Sequence, residues 1–169
     1  MSLARRRVMG LAAAWTLGAG APLDASTAEG AAAAVQWPAL TLLDGRPWAL
    51  PIGADGRPFA VVAVIWASDC PFCRRHNVHL DKLQRAAAGK PLAIVTAAQD
   101  RDPAVVDAYL RERDYRFPVV REHQRLRALF TDRRVIPFTA TVGRDGRIRE
   151  RIPGEMFEED VLGFLGLAG

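Results

Sequence analysis

The chain has 169 residues, half of them hydrophobic and a quarter charged, and carries a formal net charge of +4. Three of its arginines, Arg5-Arg6-Arg7, stand together near the N-terminus, while the other charges are interspersed, with Arg133-Arg134 and Arg144 to Arg151 reading as solvated turn and strand residues. This pattern excludes a dedicated nucleic-acid surface.

In chain order, Arg5-Arg6-Arg7 precedes an uncharged, largely apolar stretch from Val8 to Ala21 and a small-residue region up to Ala28. That is the layout of a bacterial export signal, and its apolar part is too short for an ordinary membrane span. Cleavage is expected after Ala25 or Ala28, because Pro22 would be an awkward first residue; the general secretory route is preferred over the twin-arginine route. No cysteine lies near the cleavage region, which excludes a lipoprotein. The expected organisation is an export signal over 1–28, a flexible linker over 29–36 and one domain over 37–169. The mature protein would then be periplasmic or secreted, with an uncleaved membrane anchor as the alternative. Roughly 140 residues can bury a substantial core, and without the leader the chain is nearly neutral.

Leu40 to Leu43 and Trp48 to Leu50 predict a short hairpin, with Asp44-Gly45 supplying the turn. The apolar run Phe59 to Trp66 predicts a buried strand, and Pro71 to Ala88 a helix closed by Gly89. Pro91 to Ala97 predicts a second buried strand. Asp102-Pro103 then caps a helix whose apolar face is Val105, Val106, Tyr109 and Leu110. Phe117 to Val120 predicts a short strand and His123 to Phe130 a short helix with Leu126, Leu129 and Phe130 toward the core. Phe138 to Val142 and Arg147 to Ile152 form a hairpin through Arg144-Asp145-Gly146, and Met156 to Leu167 a closing amphipathic helix. Alternating strands and helices imply a three-layer α/β sandwich. The final hairpin makes its central sheet mixed.

The chain's only cysteines, Cys70 and Cys73, flank Pro71-Phe72 at the start of the first long helix. A helix N-terminus favours a thiolate at Cys70, and Arg74, four residues on, can lean back toward it. Asp69 opposes both effects, so these two residues are the expected tuners of the Cys70 thiol. Cys73 lies one turn later, within reach for a reversible disulfide. Cys70 is therefore the expected nucleophile and Cys73 the resolving thiol. No cofactor beyond the Cys70–Cys73 disulfide is expected, and no metal. The rival from the same residues is a soft-copper site of Cys70, Cys73 and His76; His79, a further turn along, faces away from Cys70.

The run Trp66-Ala67-Ser68-Asp69-Cys70-Pro71-Phe72-Cys73, followed by Val135-Ile136-Pro137-Phe138-Thr139, resembles the thioredoxin superfamily. Within it, the chain is similar to the exported TlpA/ResA-like thiol–disulfide oxidoreductases over about residues 36 to 169. Support comes from the Leu40 to Gly45 hairpin, the helix around Ala104 to Arg113, Phe117-Pro118-Val119-Val120 and Val142 to Gly146. The resemblance implies a thioredoxin-like fold and a cis peptide between Ile136 and Pro137, packed against the cysteines. It also implies that Ile136, Pro137, Trp66 and Phe72 contact substrate, and that the partners are protein thiols or disulfides. A reductant of this branch, serving cytochrome c maturation or metal-centre assembly, would need a membrane-linked thiol electron donor; a copper-handling chaperone and a dithiol oxidase are the alternatives. Two positions depart from thioredoxin: Asp69 replaces the tryptophan before the first cysteine, and Val64 replaces a buried acid six residues before it. The proton acceptor for Cys73 is thereby unassigned. Cys70 to Arg75 locally resembles glutaredoxins, but chain length and the leader argue against them. Ala67 lacks the hydroxyl that a peroxiredoxin would place there.

Overall fold

The computed structural model describes residues 33–169. The expected export signal and residues 29–32 of the expected linker lie outside them. The last part of the expected linker is docked: the Val35 amide donates to the Gly146 carbonyl at 2.8 Å, and its side chain packs on the core. The folded domain therefore starts before residue 37.

Strands β1 (Leu40–Thr41) and β2 (Pro47–Trp48) form the expected hairpin, though shorter than its apolar residues suggest. Asp44 Oδ1 accepts from the Arg46 amide, and Gly45 takes a φ of +89° that a side chain would resist. Strand β3 (Ala60–Trp66) is wholly buried, as its unbroken apolar run requires. It pairs in parallel with β4 (Leu92–Ala98), which pairs in parallel with β5 (Val119–Val120). On its other side β3 pairs antiparallel with β6 (Phe138–Val142), and β6 with β7 (Ile148–Pro153). The order β5-β4-β3-β6-β7 is the mixed central sheet anticipated from the sequence.

Strand alternation sends side chains to two cores. Ala60, Val62, Val64 and Trp66 face α1 (Pro71–Ala86), α2 (Pro103–Glu112) and α4 (Glu158–Gly163). Val61, Ala63 and Ile65 face α3 (His123–Ala128) and the hairpin, where Trp37 packs between Trp48 and Phe130. The domain is thus the thioredoxin-like three-layer α/β sandwich expected. Three local expectations shift. Helix α1 stops at Ala86, and Gly89 serves the turn beyond it at φ +74° rather than the cap itself. Val105 is solvent-facing, so α2 buries Val106 and Tyr109. The closing segment is helical only from Glu158 and tightens into a 3-10 turn over Phe164–Ala168.

Both sheet edges are guarded. Beside β5, Leu42 bridges Val120, and backbone bonds run from Leu43 to Val119 and from Arg121 to Thr41. Edge strand β7 exposes Arg149, Glu150 and Arg151.

Candidate active site

Strand β3 ends at Trp66 and α1 begins at Pro71, so residues 67–70 form a tight turn at the carboxyl end of the central parallel strands. Ser68 sets its shape: its backbone amide donates to Asp100 Oδ2 at 3.1 Å, its hydroxyl donates to Asp100 Oδ1, and its carbonyl accepts from Arg74 Nε at 2.9 Å. Asp100 follows β4, so this carboxylate ties the two strand ends together. In the sequence Asp100 stands only as a polar residue just past the second apolar run. Nothing in its local pattern marks the reach to Ser68.

Cys70 caps α1. Its sulfur accepts from the Cys73 amide at 3.3 Å, and its carbonyl accepts from the Arg74 amide at 3.0 Å. The favourable partial charge of a helix N-terminus therefore acts on the Cys70 sulfur through a specific N–H group. Arg74, expected to lean on that sulfur, instead uses its Nε–H on the Ser68 carbonyl, and so acts on Cys70 through the turn. Cys70 is half-buried, whereas Cys73 is wholly enclosed. Both are free thiols. Burial, above all, pushes the Cys73 thiol far above its ordinary range; its hydrogen bond to Cys70 and the negative charges of Cys70 and Asp69 push the same way, against a hydrogen bond from the Ala67 backbone. The pair is asymmetric: one accessible sulfur and one protected sulfur within hydrogen-bonding reach.

The Ile136–Pro137 peptide is cis. Because Ile65 stands opposite Phe138 across the antiparallel β3–β6 pair, Ile136 and Pro137 lie at the same end of the sheet as the cysteine turn. Pro137 is buried and Ile136 half-buried, with Ile136 packed against the cluster containing Cys70 and Cys73. Among the described residues, none takes up the N–H or C=O of Ile136. Ile136 also lines a shallow groove with Ala67, Asp69, Asp100, Arg101 and Val105, and Asp69 itself is exposed there. Phe72, two residues beyond Cys70, is 56% exposed, with the Arg75 guanidinium 5.0 Å from its ring centroid. Arg75 in turn holds Glu155 through two hydrogen bonds, one of 2.7 Å.

One expected substrate contact is overturned. Trp66 has no exposed surface; its Nε1–H donates to Thr96 Oγ1 at 3.1 Å, and its ring packs on Tyr109 and Phe117. It lies on the last residue of a strand buried on both faces, so it belongs to the core. Trp66→Ala is expected to cost about 3 to 5 kcal/mol of stability, and Trp66→Phe about 1 kcal/mol through the lost hydrogen bond, both measured by urea denaturation.

His76 does not join the cysteines as a ligand. Its Nδ1 accepts from the Met156 amide at 3.4 Å and its Nε2 meets Thr139 Oγ1 at 3.3 Å, so both ring nitrogens are engaged. Burial, with the neighbouring His79, pulls its pKa down to about 4, and the ring is neutral. Among the described residues, no group of three or more His, Cys, Asp and Glu side chains is placed to hold a metal ion.

Fold and site together define a class: a thioredoxin-fold domain with a Cys-x-x-Cys pair at a helix N-terminus and a cis proline beside it. No protein-family model and no curated protein matches the chain. Solved structures do. A thioredoxin-family thiol:disulfide interchange protein from Chlorobium tepidum aligns at TM-score 0.66 and 19% identity, over 81% of this chain and 97% of its own. StoA from Bacillus subtilis aligns at TM-score 0.62 and 18% identity, over 75% and 94%. A secreted Mycobacterium tuberculosis disulfide oxidoreductase, described as homologous to DsbE of E. coli, aligns at TM-score 0.63 and 19% identity, over 76% and 94%. The chain has the thioredoxin fold these proteins share.

Proposed function

We propose that this protein is an exported thiol–disulfide oxidoreductase that exchanges a Cys70–Cys73 disulfide with cysteines of other exported proteins, working as a reductant. The observation that carries the reading is the unequal pair: half-buried Cys70 capping α1, with the backbone amide of enclosed Cys73 donating a hydrogen bond to its sulfur. A partner sulfur can reach the first and not the second, which orders the reaction. The free backbone of Ile136 supports strand-like docking of an extended substrate beside Cys70, with Phe72 and Pro137 completing the rim. The leader and the exported proteins among the similar structures support a site of action outside the cytoplasm.

Direction follows from thiolate stability, since a stabilised thiolate favours the reduced form and makes the disulfide more oxidising. Asp69 puts a negative charge beside Cys70, and burial disfavours ionisation of Cys73. Both features favour the disulfide, and so a reducing potential. A membrane-linked thiol donor would supply the electrons in an oxidising periplasm, and cytochrome c maturation or metal-centre assembly would consume them. Equilibration with glutathione tests the direction. A potential near the thioredoxin value of about −270 mV is expected, whereas one near about −120 mV would make the protein a dithiol oxidase. Catalysed reduction of insulin should accompany the first result.

A further inference from the structure

Ser68 lies in the turn that carries the chain from β3 to the nucleophile, and its amide, hydroxyl and carbonyl are all engaged. Trp66 pairs with Ala98 at the end of the parallel β3–β4 ladder, and the Gln99 amide donates to the Trp66 carbonyl at 2.8 Å, one step past the strands. Continued regularly, the ladder would next join the Ser68 amide to the Gln99 carbonyl. Asp100 Oδ2 accepts that amide instead, at 3.1 Å, and Asp100 Oδ1 accepts from the Ser68 hydroxyl. The carboxylate thus supplies the rung that the diverging strand withdraws. Hydrogen bonds to an ionised acceptor are the stronger kind, and Ser68 is only 8% exposed. Among the described residues, Ser68 supplies every hydrogen bond to this carboxylate.

The hold on Ser68 bears on the sulfur two residues further on. The Ser68 carbonyl accepts from Arg74 Nε at 2.9 Å, so the residue is pinned from the end of β4 on one side and from the first turn of α1 on the other. Only Asp69 separates it from Cys70, whose backbone is extended (φ −80°, ψ 116°) before the helix begins and whose sulfur accepts from the Cys73 amide at 3.3 Å. That N–H is the donor through which the helix N-terminus favours a Cys70 thiolate. The direction in which the turn enters α1 decides whether the sulfur sits on it, and Asp100 fixes that direction from outside the helix. The charge of Asp100 works the other way, because a carboxylate near the turn disfavours a second negative charge at Cys70. Position and charge therefore predict opposite outcomes when the residue is changed.

We infer that Asp100 is a positioning residue for the nucleophile: by holding the Ser68 amide and hydroxyl it keeps the Cys70 sulfur on the Cys73 N–H, where the thiolate that attacks a partner disulfide is stabilised. The inference rests on the exchange reaction proposed above. Asp100 acts through Ser68 and the turn rather than on the sulfur.

Alkylation of the fully reduced protein by iodoacetamide reads this role, since the thiolate displaces iodide and mass spectrometry locates the modified cysteine. Asp100→Ala removes both hydrogen bonds, and its Cys70 rate at pH 7 should fall about tenfold, with the pH–rate profile displaced toward higher pH and its alkaline plateau kept. Asp100→Asn should recover the parent's rate. Its amide oxygen can accept from the Ser68 N–H while its NH2 group donates to Ser68 Oγ, the hydroxyl turning its own hydrogen away, and the charge is gone. Ser68→Ala keeps the amide bond and loses the other, so its rate should fall between those of the parent and Asp100→Ala; it tests the inference even if Asp100→Ala does not fold. An Asp100→Asn protein no faster than Asp100→Ala, or a rate at or above the parent's for Asp100→Ala or Ser68→Ala, would overturn the inference. A parent protein alkylated first at Cys73 would instead overturn the exchange reading beneath it.

Discussion

Cys70→Ser is expected to abolish thiol exchange, whereas Cys73→Ser should keep the first attack and stop as a covalent adduct with its substrate. The contrast follows from burial. Cys70 alone presents its sulfur at the surface, so no second nucleophile can replace it, and serine is not ionised at neutral pH. Cys73 is buried and, on the proposed reaction, would act only on the sulfur of Cys70. Mass spectrometry after mixing with a cysteine-containing disulfide peptide should show the adduct in quantity for Cys73→Ser and none for Cys70→Ser. Equal adduct in both variants would remove the ordered roles assigned here.

Acid weakens the fold through His76. Its pKa is about 4 in the folded protein and near 6.5 when exposed, so between these values the unfolded chain binds more protons. Stability attributable to neutral His76 is therefore fully present above pH 6.5 and is lost as the pH falls to about 4. The amount is roughly 3 kcal/mol. The physical event is protonation of Nδ1, which can then no longer accept from the Met156 amide; that bond joins α1 to the segment leading into α4. Glu155 and His79 act on the same ring in opposite directions. Urea denaturation at a series of pH values should show this slope in the parent protein and its loss in His76→Gln, over the background from carboxylates. A slope unchanged in that variant would assign the acid sensitivity elsewhere.

The sheet and the place of Cys70 at the start of α1 were legible because each has a local signature. An unbroken apolar run cannot avoid burial on both faces, and Cys-Pro-x-Cys after such a run places the first sulfur at a helix start. Trp66 shows where local reading fails. An aromatic residue near a cysteine suggests contact with substrate, but its position as the last residue of a doubly covered strand decides otherwise, and Thr96 supplies the partner its indole needs. Arg74 fails for a related reason: helical spacing brings it near Cys70, yet the Ser68 carbonyl competes for its guanidinium. Contacts joining distant segments, such as Asp100 with Ser68 or Tyr109 with Asn77, had no sequence signal, since they depend on how β4 and α2 pack beside α1.

The protected margins of the sheet acquire meaning beside such a site. A protein that meets other chains through exposed cysteines meets them partly unfolded, when extended backbone is seeking hydrogen bonds. Here the β5 margin is already occupied by the hairpin, and the β7 margin presents alternating charge. An incoming chain would find its open backbone contact at Ile136, at the same end of the sheet as the cysteine turn. On the proposed function, client recruitment would thus be steered to a place where it ends in chemistry and release, and away from the borders where it would end in a growing aggregate.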